Sequence, residues 1–341
     1  MRHSQSSRQA ERRCLYTAES YQQALEAQQS DRTLIPAAVG PQQHYEARLF
    51  EAVVDSARDF TERPFGICSV RPGKASVTLR LESAERATDL LRLVLPSYSD
   101  EDGRQGLAGS RIRQRTRRGI EIAGVHGQAS VWLTGLSSAE WTRAEADIAE
   151  ECSETGYRPL WQEPSWTAEA ERAIDLDPAD AERNRRWDAY VNHGAWCASG
   201  LLRRVALFHT VTTADLVTCM RAAPCIIGYP GLGPVRWAFE LDRRPGLPDS
   251  QQTLITALTD PDFGLPLRRV PFHIPFYDNL PHYARIGDEA DTALIELRSS
   301  EIAYRSLEGR PPWGDPVRFA EMGRAIRRRV DKVLDSRPTM G

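Results

Sequence analysis

The chain has 341 residues, 41% of them hydrophobic and 27% charged, with a formal net charge of −3. That length suggests two or three domains with real cores. The balance excludes general disorder and a surface basic throughout, so any nucleic-acid contact has to come from a local patch. Of the 44 basic residues, only Lys74 and Lys332 are not arginine, a bias that a GC-rich genome explains more simply than selection for phosphate contacts. The six cysteines, Cys14, Cys68, Cys152, Cys197, Cys219 and Cys225, form no CxxC pair. The stretch MRHSQSSRQAERR has no apolar core for a secretory signal, and no apolar run is long enough to span a membrane. The expectation is a cytoplasmic protein with reduced thiols and no membrane contact.

Residues 1–12 read as frayed and polar. RRCLYTAESYQQALEAQQ then reads as two short helices broken at Glu19–Ser20, with Ser20 and Gln23 at capping-box spacing. Pro41 suits the first turn of a helix reaching about Arg58, striped by Leu49, Phe50, Val53, Val54 and Ala57. The string LYTAESYQQALEA resembles a short helical leader on uncharacterised proteins of high-GC bacterial plasmids and mobile elements. The resemblance covers under a tenth of the chain. It implies a mobile-element or defence setting and carries no activity.

Two stretches then echo each other fifty-four residues apart, GKASVTLRLESAERA from Gly73 and GQASVWLTGLSSAEWTRA from Gly127. Around each, the pattern predicts strand, turn, strand and helix. Val77, Leu79 and Leu81 alternate with polar residues, as do Val131 and Leu133, the mark of half-buried strands. A helix starts near Ser83, with Ala87, Leu90, Leu91 and Val94 on one side, and Pro96 stops it. A second starts at Ser137, capped with Glu140 and striped by Trp141, Ala144, Ile148 and Cys152, and Gly156 ends it. Two such units predict one four-stranded antiparallel sheet with two helices on one face, since neither unit alone covers its apolar side.

Pro159 and Pro164 mark a linker, and Asp177–Pro178 opens a further helix. RVALFHTV reads as a strand, TTADLVTCMRAAP as a capped helix, CIIGYPG and PVRWAFELD as a hairpin, DSQQTLITALTD as a helix and RRVPFHIPFYD as extended. That order is the ferredoxin-like one. Asp315–Pro316 opens a terminal helix to about Leu334. The fold class is therefore α+β: a helical N-terminal segment (1–60), a duplicated ββα domain (61–157), a helical linker (158–200) and a ferredoxin-like domain with a C-terminal helix (201–341).

The most unusual local feature is RIRQRTRRG, between the echoed units. Arg111, Arg113, Arg115 and Arg117 alternate strictly and Arg118 follows, so an extended backbone puts the alternating four on one face. Such a ribbon suits nucleic-acid phosphates; a solvated loop, or an edge strand charged against aggregation, is the simpler reading. Arg324, Arg328 and Lys332 share one face of the terminal helix, where solvated cations also suit the helix dipole. In VPFHIPFYDNLPHY, His273, Asp278 and His282 form the best catalytic candidate, a histidine base with a carboxylate to orient it, beside Tyr277. Their spacing matches no metal motif, and nothing in the sequence calls for a cofactor. His193 with Cys197 lacks a third group, and GYPGLG lacks the spacing of a nucleotide loop. Trp132, Trp141 and Trp237 fall on predicted apolar faces and are expected in the core, although Trp132 and Trp141 occur only in the second echoed stretch. Three functions remain open: a nucleic-acid-associated binding protein, an enzyme with a His/Asp site in the C-terminal domain, and a self-associating or partner-binding module.

Overall fold

The computed structural model describes residues 5–30, 34–56, 63–124, 129–162, 189, 192–211, 217–222, 234–242, 250–271 and 283–300. Among them are eight helices and three sheets, a mixed α+β architecture. Contacts group the chain into two compact units, Pro36–Arg203 and a second made of Met1–Ile35 with Arg204–Gly341.

The first two helices, α1 (Gln5–Thr17) and α2 (Tyr21–Ser30), belong to the second unit, and α3 (Gly40–Ser56) opens the Pro36–Arg203 unit. Then come β1 (Ile67–Pro72), β2 (Ser76–Leu81), α4 (Ala84–Val94), β3 (Ser97–Ser99), β4 (Gly103–Gln105), β5 (Ser110–Thr116), β6 (Gly119–Gly124), β7 (Ser130–Thr134), α5 (Ser138–Glu154), β8 (Arg158–Pro159) and α6 (Ala195–Leu202). The main sheet has the order β1-β2-β7-β6-β5, and β4-β3-β8 form a small second sheet. All four strands expected from the echoed stretches are present, but the sheet is neither four-stranded nor wholly antiparallel. The sequence between the copies supplies a fifth strand, β5, and the central pair β2–β7 runs parallel. Each of these inner strands feeds a helix, and a helical crossover returns a strand parallel to its predecessor.

The parallel register gives the echo a physical meaning. Ser76, Val77, Thr78 and Leu79 lie beside Ser130, Val131, Trp132 and Leu133, an offset of fifty-four throughout. The helix starts keep the same offset: Ser83 accepts from the Arg86 amide and Ser137 from the Glu140 amide, the latter in a full capping box. Val77, Leu79, Val131, Leu133, Ile120 and Ile122 are all essentially buried, which identifies the core face of the sheet. At the end of β7, Gly135 has φ of 112°, and an added Cβ there would meet the Leu81 carbonyl oxygen, so this position requires glycine.

One buried ion pair ties the unit together. Arg203, just past α6, donates through Nε and Nη2 to the two carboxylate oxygens of Glu46 on α3, at 2.7 and 2.6 Å. The Ser199 hydroxyl donates to the same carboxylate, and Arg203 Nη1 donates to the carbonyls of Pro36 and Gly73. Both charged side chains are wholly buried. A carboxylate and a guanidinium so satisfied join α3, α6 and the β1–β2 turn.

In the other unit, α7 (Leu207–Thr210), β9 (Val217–Ala222), β10 (Val235–Asp242), α8 (Ser250–Leu258), β11 (Arg268–Arg269), β12 (Tyr283–Gly287) and β13 (Ala293–Ser300) follow α1 and α2. The two helices and their Ser20/Gln23 capping box are as expected, but α1 begins at Gln5, within the stretch read as frayed. Its partners are remote in sequence. Arg12 bonds to Asp260 and Asp262 and lies over the Phe263 ring; Tyr16 stacks on that ring and donates to the Ala257 carbonyl. Arg13 pairs with Glu19 at 2.6 Å, both buried.

Two elements here exchange identity. Residues 204–211 were expected to be a strand but end in α7; Val205, Ala206, Leu207 and Phe208 are all buried, and a short continuous apolar run does not distinguish helix from strand. Residues within the expected helix TTADLVTCMRAAP instead form β9, paired antiparallel with β10 over Val217–Ala222, where β-branched residues find a ladder partner. The helix over DSQQTLITALTD is present as α8. The strands β12 and β13 were not anticipated. The described order is strand, strand, helix, strand, strand, strand, which differs from the ferredoxin-like order. The sheet order is β11-β12-β13-β10-β9, with β10 and β13 parallel and the remaining pairs antiparallel. Read from its first strand, this is the same order and the same set of directions as β1-β2-β7-β6-β5.

Candidate nucleic-acid interface

Pairing and alternation define the second face of the β1–β7 sheet, opposite Val77, Leu79, Val131 and Leu133. Cross-strand partners share a face. One row on it runs Arg71, Thr78, Trp132, Glu121 and Gln114, from β1 to β5. Beside it, Ser69, Arg80, Thr134, Gly119 and Thr116 make a second row, and Ser76, Ser130, Ala123 and Arg111 a third. Arg71, Arg80 and Arg113 are exposed, and Trp132 and Thr78 are half-buried.

Trp132 is therefore not a core residue, contrary to its expected place on an apolar face. It alternates with Val131 and Leu133 and sits on the opposite side. Its neighbours on that side are small: Ser76, Thr78, Ala123, Ser130, Thr134 and Gly119, with Glu121 and Arg80 the larger ones. Trp141 and Trp237, by contrast, are buried as expected.

The arginine ribbon is a strand, β5, at the edge of the sheet. It does not keep its arginines on one face. A bulge between Ile112 and Gln114 places two residues opposite one and resets the alternation at Arg113. Arg111, opposite Ala123, and Arg113 lie on the Trp132 face. Arg115, opposite Ile120, lies on the core face and reaches α5, where its Nε and Nη2 donate to Glu145 at 3.0 and 2.5 Å. Arg117 and Arg118 form the exposed β5–β6 turn. The other edge strand, β1, is bulged too, between Ile67 and Ser69, a feature that discourages edge-to-edge pairing.

Arg113 grips Glu121 in a two-pronged ion pair, its Nε donating at 2.9 Å. The Arg113 bond holds the Glu121 carboxyl below the usual carboxylate range, against the opposing effect of burial. The same bond raises the Arg113 pKa, and the Glu145 bond raises that of Arg115. Across the five strands there are five arginines, Arg71, Arg80, Arg111, Arg113 and Arg115, and one acidic residue, Glu121. On the Trp132 face these strands place four arginines, Arg71, Arg80, Arg111 and Arg113, and one carboxylate, Glu121, which Arg113 bonds.

The catalytic candidates His273, Asp278 and His282 lie outside the described residues, as do Arg324, Arg328, Lys332, Cys225 and GYPGLG. His193 is exposed and Cys197 is fully buried. Among the described residues there is no cluster of three His, Cys, Asp or Glu side chains able to hold a metal, and no helix long and apolar enough to cross a membrane.

Sequence reasoning missed Arg71, Arg80 and the position of Trp132. A usable signal was present: each occupies the polar phase of a strand whose other phase is Val, Leu or Ile. Comparison with models of protein families, with curated proteins and with solved structures finds no match to this chain.

Proposed function

We propose that the chain is a nucleic-acid-associated binding protein and that the Trp132 face of the β1–β7 sheet is its interface. The observation that carries this reading is the composition of that face: Arg71, Arg80, Arg111 and Arg113 surround one half-buried indole set among small side chains. Guanidinium groups recognise phosphate, and an indole with small neighbours offers its ring to a base. The fifty-four-residue echo is read as an internal duplication that built the two inner strands and their helices. The mobile-element or defence setting rests on the leader resemblance alone.

The test is binding of a fluorescently labelled oligonucleotide at low and high salt. Wild-type protein should bind at low salt and weaken steeply as salt rises. Combining Arg71→Ala, Arg80→Ala and Arg111→Ala should reduce affinity by about tenfold or more and flatten the salt dependence. No binding at low salt, or unchanged binding by the triple variant, would overturn the reading.

A further inference from the structure

The geometry points to single-stranded nucleic acid as the ligand of this face, laid across the strands with one base stacked on Trp132. This inference rests on the reading just given. Trp132 lies on β7, the middle strand of a five-stranded sheet, and its neighbours on that face are Ser76, Thr78, Ala123, Ser130, Thr134 and Gly119, with Arg80 and Glu121. The ring is half-buried at the middle of a face on which Glu121, Ala123 and Ser130 are buried and Arg71 and Arg80 are exposed. The arginines lie on both sides of it: Arg71 and Arg80 on β1 and β2, Arg111 and Arg113 on β5.

Four strand spacings separate β1 from β5, about 19 Å at the usual interval. A strand crossing that width can place phosphates at both arginine groups and a base at the centre. The central base must be unstacked from its neighbours to reach the indole. A duplex cannot supply it, because its bases are paired and stacked inside a cylinder whose outer surface is phosphate. Duplex contact would use the arginines and leave Trp132 idle, so the two ligands depend on Trp132 differently.

Glu121 regulates this same surface. It is Trp132's cross-strand partner and bonds Arg113, so a phosphate approaching Arg113 competes with a built-in carboxylate.

The experiment measures binding of the full chain to a labelled single strand of about twelve nucleotides, as DNA and as RNA, and to the matching duplex, at low salt. Wild type should prefer at least one of the single strands. Trp132→Ala should weaken single-strand binding by about fivefold to a hundredfold and leave duplex binding unchanged. Trp132→Phe keeps a stacking ring and should retain most of the affinity, which separates stacking from any effect on folding. Equal binding of single strand and duplex, or a Trp132→Ala protein that binds single strands normally, would overturn this inference while the broader reading stands. Failure of every oligonucleotide to bind would remove the broader reading itself. The relative strength of the DNA and RNA arms identifies which single strand is preferred.

Discussion

The two five-stranded sheets share strand order and directions yet present different chemistry on the face away from the core. On the β1–β7 sheet that face holds Trp132 among small residues, with arginines around it. The corresponding face of the β9–β13 sheet is centred on Glu296, which is buried and bonded by Arg285 of β12 at 2.6 Å, with Arg236 of β10 at 3.7 Å. There the arginines converge on one internal carboxylate, and Ala238 and Leu294 beside them are buried. Identical topology therefore leaves the function of a sheet undecided. What differs between the two is the set of residues on the second face: Trp132 with exposed Arg71 and Arg80 on one, Glu296 with buried Ala238 and Leu294 on the other.

The sharpest ways to break this comparison remove single residues from each unit. Glu46→Ala strands the buried Arg203 guanidinium and should cost about 3–5 kcal/mol, read as a lower midpoint in chemical denaturation. A small change would mean that this ion pair does not organise the Pro36–Arg203 unit. Glu296→Gln should cost about 2 kcal/mol, softened because both arginines reach solvent, and should leave oligonucleotide affinity unaltered. Glu121→Gln should do the reverse. Its stability cost stays below about 1 kcal/mol because Arg113 is exposed, while affinity rises and the salt slope steepens by about one phosphate contact. A matched response of affinity to both substitutions would erase the distinction between the faces.

The Glu121–Arg113 bond also sets a pH dependence. Because the Glu121 pKa is depressed in the folded protein, its contribution is present above the ordinary carboxylate range and is lost as pH falls through the lowered value. Acid titration of stability should therefore be shallower in Glu121→Gln than in wild type. The helix caps act locally: Ser83→Ala should lose about 1 kcal/mol through the unsatisfied Arg86 amide, and Ser137→Ala should act in the same direction.

Local features were legible in the sequence. Val77, Leu79 and Leu81 announced β2, Ser83 and Ser137 announced the helix starts, and Ser20 with Gln23 announced α2. Each depends on residues within one turn or one strand. The parallel pairing of β2 with β7 was not legible, although the echo contained its register, because strand direction is set by the intervening crossover. The bulge at Arg113 was hidden for a related reason: an alternating sequence states which residues share a face only while the ladder is regular. Arg12 closed the stretch read as polar because its partners Asp260 and Asp262 cannot be read locally, and neither can the fold that buries Arg13 and Glu19. The α7 and β9 segments are short and apolar, and tertiary pairing decided between helix and strand.

Photochemical cross-linking of a single-stranded oligonucleotide to the intact protein, with the adducts mapped by mass spectrometry, tests the interface most directly. Adducts should fall on β1, β2, β5 and β7, with Trp132 foremost, and should disappear at high salt. Adducts on β10, β12 or β13, or none on the Trp132 strand, would contradict the assignment of this face.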